Sequence, residues 1–224
     1  MLQDSSEDIT FNGHGPRVLL RANMSNIRTI ILASGSSRRR EILEKTGLKF
    51  KVDKSNYKEK LDPGLKPHDL AGFLSSEKAR HVAHRYRNAL VIAADTIVVL
   101  KGRLFGKPRN KEQAKEMLKI LSGKAHSVIT GFTIIDTATK KELTTSVESK
   151  VFFKRLSVNE IEAYIRSGEP LDKAGAYAVQ GLGAVLIKRI EGDFFNVMGL
   201  PLHALTRSLK KFGIKVLNHL SGSV

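Results

Sequence analysis

The order of hydrophobic periods along this chain predicts an α/β fold with a mixed, twisted sheet flanked by helices around a central cleft. An apolar extended run, Ile30-Ile31-Leu32-Ala33, passes through a small-residue turn into a helical period, the opening of a parallel β-α unit. Extended and helical periods then alternate over the next 150 or so residues. Two long extended runs, 126–137 and 142–155, flank a turn at Thr139-Lys140 and read as an antiparallel hairpin, which makes the sheet mixed.

Residues 1–26 are polar, lack sustained periodicity and contain Gly13, Gly15 and Pro16, so a flexible extension is expected there. The folded unit is expected to begin near Met24, with one domain over 27–217 and a tail over 218–224. Strand 28–34 leads into helix 37–46, closed by Gly47 where a left-handed C-terminal cap belongs. A short strand at 48–53 precedes a charged loop, Lys54 to Lys66, that fits neither period. Helix 68–87 follows Pro67, with Leu70, Leu74, Val82 and Tyr86 stepping by multiples of four. The apolar run Leu90 to Leu100 is a buried strand, and 103–105 is its short hairpin partner. Helix 110–121 ends at Gly123, and helix 157–167 stops at Gly168 and Pro170. A Gly-rich segment, 172–183, enters a strand at 184–190, and a last helix starts near Pro201.

Composition excludes several chemistries. There are no cysteines, so disulfides, thiolate metal sites and cysteine nucleophiles are ruled out. Of the seven histidines, the His81 and His84 pair lacks the spacing and the glutamate of a zinc helix. No run reaches the ~18–20 apolar residues that cross a bilayer. The first residues carry Asp4, Glu7 and Asp8 without an apolar stretch, so no signal peptide is expected and the setting is expected to be cytoplasmic. The formal net charge of +16 calls for an anionic partner or a highly basic surface, and lysine-rich composition is also what a hot-growing source produces. Aromatics are 6% and the cations are spread over most elements, which argues against a dedicated nucleic-acid interface.

Several residues break the rules of their own elements. The helix after Ser34-Gly35-Ser36-Ser37 opens on Arg38, Arg39 and Arg40, although each cation in the first turn opposes the helix dipole by about 0.3–1 kcal/mol. Either this is a solvated run on an amphipathic surface helix, or an anion is received there by free N–H groups, serine hydroxyls and guanidinium forks. Asp95 interrupts a strand that looks covered on both faces. It marks either a strand break capped by its own backbone or a carboxylate at a cleft that holds a divalent cation or orients a water. Lys78 sits on the apolar stripe of its helix, as a snorkelling side chain or a cleft cation. Lys107, in Gly106-Lys107-Pro108, projects from an extended turn and taken alone reads as surface. Three cation sources and one carboxylate suit a polyphosphate carried with a metal ion. The G-x-x-x-x-G-K-[ST] loop, the dinucleotide G-x-G-x-x-G and the G-x-S-x-G elbow are all missing.

These segments together resemble the Maf-type nucleotide pyrophosphatases, which are related in fold to the inosine triphosphatases. The resemblance covers Arg28 to about Val216. It is carried by Leu32-Ala33-Ser34-Gly35-Ser36-Ser37-Arg38-Arg39, Ser76-Glu77-Lys78-Ala79, Ala94-Asp95-Thr96-Ile97-Val98, Gly106-Lys107-Pro108, Asp172-Lys173-Ala174-Gly175-Ala176-Tyr177, Gln180-Gly181 and Val197-Met198-Gly199-Leu200-Pro201. It implies hydrolysis of nucleoside triphosphates to monophosphate and pyrophosphate with Mg²⁺ or Mn²⁺, and a homodimer. It places Asp95 at the catalytic acceptor position with Lys78 and Lys107 as cleft lysines, and Ser34, Ser36, Arg38 and Arg39 at the phosphates. Arg38, Thr96 and Gln180 fall where base specificity is set, and Glu59 joins Asp95 as a metal ligand. The Lys-Ala-Gly-Ala-Tyr and Gln-Gly pattern is similar to the branch acting on dTTP and UTP. The alternatives are the sister branch that prefers 7-methyl-GTP, and a nucleic-acid-binding or division-regulating protein without turnover. Ser37 departs from the family's usual proline, and serine starts a helix nearly as well. In this reading Arg38 and Arg39 face a triphosphate, while Arg40 is ordinary helix surface.

Overall fold

Right-handed crossovers decide where everything else sits. The computed structural model of the protein describes residues 28–58 and 64–217. Strand β1 (Thr29–Leu32) is followed by helix α1 (Ser37–Glu44) and strand β2 (Phe50–Val52), then by helix α2 (Pro67–Ala83) and strand β3 (Ala89–Leu100). Both β2 and β3 pair parallel to β1, one on each side. Crossing in opposite directions with the same hand puts α1 and α2 on opposite faces of the sheet. The core confirms this: Ile42 and Leu43 of α1 pack with Ile30, Leu32, Ile92 and Ala94, whereas Ala79 and Val82 of α2 pack with Ile31, Ala33, Val91 and Ala93. Alternate residues of one strand face opposite layers.

The remaining sheet is antiparallel. Strand β4 (Arg103–Phe105) folds back on β3, and helix α3 (Lys111–Leu121) leads to the long hairpin β5 (Ala125–Asp136) and β6 (Glu142–Phe153). Helix α4 (Val158–Arg166) and three short 3-10 turns, over 169–172, 174–176 and 181–186, precede β7 (Ile187–Glu191), α5 (Phe194–Met198) and α6 (Leu202–Lys210). The sheet order is β2-β1-β3-β5-β6-β7, with β4 also on β3. Because β5 pairs with β3 from Leu90 to Val99, β4 must lie on the β1 edge, opposite Val98 to Leu100. On that edge β1 pairs only as far as Ile92. Among the described residues, 93–97 of β3 therefore have no strand partner on that edge, which leaves a gap between β1 and β4. It lies beyond the C-terminal end of β1, where the chain leaves to one side and β3 lies on the other, the place α/β sheets receive ligands.

Two expectations need correction, and one element is new. The helix read as 68–87 ends at Ala83, because His84 and Arg85 close it with tight turns. The strand read from 184 begins at Ile187, since Gly181 to Leu186 winds into a 3-10 turn. The short α5 lacks enough residues to display a period and was not anticipated; Asp193 caps it by accepting from Phe195 and Asn196 N–H groups. The expected extension, the tail and Glu59 lie outside the described residues. No helix among the described residues is long and apolar enough to cross a membrane.

The core at the β4 end contains an imidazole. His126 packs edge-on against Phe153 and Tyr177, its Nε2 lies 2.8 Å from the Tyr177 hydroxyl, and its Nδ1 is buried without a hydrogen-bond partner among the described residues. Burial pushes its pKa down to about 4, from an ordinary 6.5. The unfolded chain thus takes up a proton that the folded one refuses as pH falls through 6.5, and the site's stability contribution is lost between there and about 4. Between pH 7 and pH 5 the loss is about 2 kcal/mol. Urea unfolding at the two pH values should show this difference in the wild type, and His126→Phe should lack it. An equal loss in both proteins would remove His126 from the account.

Candidate active site

The turn between β1 and α1 is organised by its own serines. Ser34 is buried and its Oγ accepts the Ser36 N–H at 3.2 Å; Ser36 is the N-cap of α1 and accepts the Arg39 N–H at 3.4 Å. The first turn of α1 contains no acidic residue, so its positive end is reinforced by the arginines rather than neutralised. The three arginines then diverge. Arg40 is exposed and donates to Glu44 one turn on, as a surface residue does. Arg39 reaches the 93–97 stretch of β3: its Nε donates to the Gly199 carbonyl at 2.8 Å, Nη2 to Thr96 Oγ1 at 3.1 Å, and Nη1 to Ser34 Oγ at 3.5 Å. Arg38 is half-buried. Burial pushes its pKa down, opposed by Asp172, Tyr164 and Glu169 beside it and by Glu41.

Thr96 is held from behind. Its hydroxyl lies 2.9 Å from that of Thr130 on β5, which in turn donates to the Asn196 carbonyl at 2.9 Å. Asn196 is fully buried and donates to the Val128 carbonyl and Ser149 Oγ, tying α5 to both strands of the long hairpin. Its helix ends at Gly199, whose φ of 116° suits a residue without Cβ and aims the carbonyl at Arg39. The guanidinium is thereby oriented through a fixed carbonyl acceptor and a hydroxyl relay.

Asp95, next to Thr96, points to the opposite face, where α2 lies. Lys78, on the stripe of Leu70, Leu74 and Val82, donates its ammonium directly to Asp95 Oδ1. Both side chains are largely withdrawn from solvent, which a lone carboxylate in a strand would not tolerate. The strand-break reading of Asp95 fails, because β3 runs unbroken through it with Gly131 as its register partner. Gly131 matters for access, since a Cβ there would sit 2.2 Å from the Ala71 carbonyl oxygen of α2.

Lys107 and Gln180 stand on a different wall. Lys107 is exposed, and the preceding Gly106 carbonyl accepts the Gly175 N–H at 3.0 Å, tying its loop to the Gly-rich segment. Gly175 needs its positive φ of 69°, and a Cβ there would press on Val98. Gln180 is half-buried, and its side chain has no hydrogen-bond partner among the described residues. The structure thus joins Ser34, Ser36, Arg39 and Thr96 by direct bonds and Lys78 with Asp95, while Arg38, Lys107 and Gln180 belong to neighbouring segments. Thr130, Asn196 and Glu169 are not singled out by the sequence, and Gly199 only as part of the motif 197–201 with no role; a carbonyl acceptor and a hydroxyl relay leave no periodic signal. A separate groove of about 350 Å³, lined in part by His68, Phe73, Arg80 and Ser146, contains none of these residues.

An open mixed sheet with serines, guanidinium groups and a lysine-paired carboxylate at one strand edge defines an α/β protein equipped to receive anionic groups. This chain belongs to the Maf-like protein family, whose model matches residues 29–212. It is similar to a dTTP/UTP pyrophosphatase of Methanosarcina barkeri, 49% identical over 191 residues, 85% of this chain and 97% of the relative. A dTTP/UTP pyrophosphatase of Pelotomaculum thermopropionicum is 47% identical over 85% of this chain and its own full length. One from Bacillus cereus is 45% identical over 88% of this chain and 96% of its own.

Proposed function

We propose that this chain is a metal-dependent pyrophosphatase that hydrolyses dTTP and UTP to the nucleoside monophosphate and pyrophosphate, a house-cleaning activity on the nucleotide pool. The observation that carries it is the juxtaposition, on consecutive residues of one open strand edge, of Asp95 paired with Lys78 and Thr96 bonded to Arg39. The full-length relatives named dTTP/UTP pyrophosphatase support the substrate choice.

The donor set fits a hard divalent cation. Mg²⁺ and Mn²⁺ are held by one or two carboxylates together with substrate phosphates, and Asp95 offers such a carboxylate beside the phosphate-receiving turn. Asp95 and Glu59 would hold the cation. When bound, the ion supplies Lewis acidity at the phosphoryl oxygens and makes water a better nucleophile.

The chain's own residues do the rest. Ser34, Ser36 and the N-terminal turn of α1 cradle the phosphates, and Arg38 and Arg39 bind them. Asp95 orients the water toward the α-phosphorus. Lys78 and Lys107, with the arginines, neutralise charge growing on the departing pyrophosphate, the main electrostatic lever in phosphoryl chemistry. Thr96 and Gln180 contact the nucleoside, with Gln180 reading the edge of the base. A homodimer and a cytoplasmic setting complete the reading. The test is a nucleotide panel scored for pyrophosphate release with Mg²⁺ and Mn²⁺. Release fastest from dTTP and UTP is expected; release of orthophosphate only, or no turnover of any nucleotide, would overturn the reading.

A further inference from the structure

We propose that Glu169 sets base selection by positioning the loop that carries Gln180. The inference rests on the pyrophosphatase reading above and concerns a residue outside its phosphate and metal contacts. Glu169 follows Gly168 at the end of α4 and opens the first 3-10 turn. Its carboxylate collects three donors: Oε1 accepts the Gly183 N–H and the Tyr164 hydroxyl, and Oε2 accepts the Leu182 N–H, all at 2.9 Å. Tyr164 in turn accepts the Ala178 N–H at 3.2 Å, so one carboxyl–phenol pair grips the segment on both sides of Gln180. Burial alone would raise the Glu169 carboxyl, but the Gly183, Tyr164 and Leu182 donors more than offset it and hold the group below the usual range.

The loop is shaped around this carboxylate. Gly181 has φ 81°, and a Cβ there would lie 2.5 Å from Glu169 Oε2; one at Gly183 would lie 2.3 Å from the Ala178 carbonyl oxygen. Val179 packs into the cluster of Met198 and Leu200, beside the Gly199 carbonyl that orients Arg39. Gln180 is thus suspended between an apolar anchor at Val179 and the Glu169 tether at Leu182 and Gly183, with its amide uncommitted among the described residues. A reading amide must hold direction to within about 10–20°. A 3-10 turn of this kind has weak internal hydrogen bonds and does not supply that stiffness alone. Arg38 lies within the field of the same carboxylate, which links the base wall to the phosphate wall.

The test compares Glu169→Gln and Glu169→Asp with the wild type, measuring kcat and KM for dTTP, dCTP and GTP and the thermal midpoint of each protein. Glutamine keeps the reach and loses the charge; aspartate keeps the charge and stops short of the two N–H groups. Both variants should lower the preference for dTTP by about tenfold or more. The change should fall mainly in KM, with kcat at saturating dTTP falling less than about threefold. An equal fall for all three nucleotides would make Glu169 merely structural, and undiminished preference in the aspartate variant would show that charge on Arg38, not the loop, is what matters. Either result overturns the proposal while leaving the pyrophosphatase reading intact. Absence of pyrophosphate release from wild type with every nucleotide overturns both.

Discussion

Replacing Asp95 with asparagine is expected to lower kcat for dTTP by about three orders of magnitude or more, a barrier increase of about 4 kcal/mol, while nucleotide affinity changes only severalfold. Asparagine matches the shape and keeps an oxygen for the Lys78 ammonium, so α2 can stay docked. What it removes is the negative charge that would hold a divalent cation and orient water. Stability has to be measured alongside, because removing one charge of a largely buried pair typically costs about 3–5 kcal/mol. Here the retained acceptor oxygen places the cost toward the low end. Calorimetric titration with dTTP, a thermal melt and a pyrophosphate assay on one preparation separate these effects. Full turnover in the variant, or a loss of affinity as large as the loss of rate, would remove Asp95 from the chemical step.

That expectation depends on a geometry only partly legible in the sequence. An aspartate inside Leu90 to Leu100 and a lysine on the stripe of Leu70, Leu74 and Val82 are each misfits, and each could be seen from its own element. Their being partners follows from topology. Once α2 crosses from β2 to β3 with the usual hand, odd residues of β3 face it, and Asp95 meets Lys78. Thr96, being even, faces α1 and α5, and so meets Arg39. The two pairs sit on opposite faces of one strand and come together only at its open edge, where β1 has ended and β4 has not begun. In the proposed reading, a triphosphate lying along that edge would touch both layers. Neither periodicity nor local anomaly reveals a gap between two neighbours of a strand.

The supports behind the site were less legible still. Gly199 acts through a main-chain oxygen, which any residue possesses, and α5, which presents it, spans five residues, too few to repeat a period. Residues 184–186 read as the start of a strand because their apolar residues are closely spaced, but they wind into the 3-10 turn whose Leu182 and Gly183 N–H groups Glu169 captures. In each case a contact distant in sequence overrides the local preference. Arg38, Arg39 and Arg40 show the same limit from the other side. The run is identical in type, yet one residue orients on a carbonyl, one faces an acidic wall and one pairs with Glu44 in solvent. Only the α1 rotation relative to the sheet separates them.

Gly131→Ala should be among the most damaging single-methyl additions in the protein. Gly131 is directly across from Asp95 on β5, and a Cβ there would lie 2.2 Å from the Ala71 oxygen, 2.3 Å from the Ala71 carbonyl carbon and 2.6 Å from the Gly72 nitrogen. These are helix backbone atoms, which cannot rotate aside as a side chain would. Ordinary contact requires α2 to retreat by about 1 Å, and overpacking of this kind costs about 1–3 kcal/mol or somewhat more. The upper end is expected, because the helix carries Leu70, Leu74, Ala79 and Val82 into two clusters at once. The retreat also draws Lys78 away from Asp95, so kcat should fall by about tenfold or more, beyond what partial unfolding explains. Gly72→Ala is the control on the helix side of the same interface. Among the described residues its Cβ would meet Thr144 Cγ2 alone, at 3.3 Å, and alanine gains about 1 kcal/mol over glycine inside a helix. That variant should stay within about 1 kcal/mol of wild type and keep its rate. Chemical denaturation and turnover measured on both variants decide the matter: equal, small effects would mean that α2 approaches β5 less closely than the backbone contact at Gly131 requires.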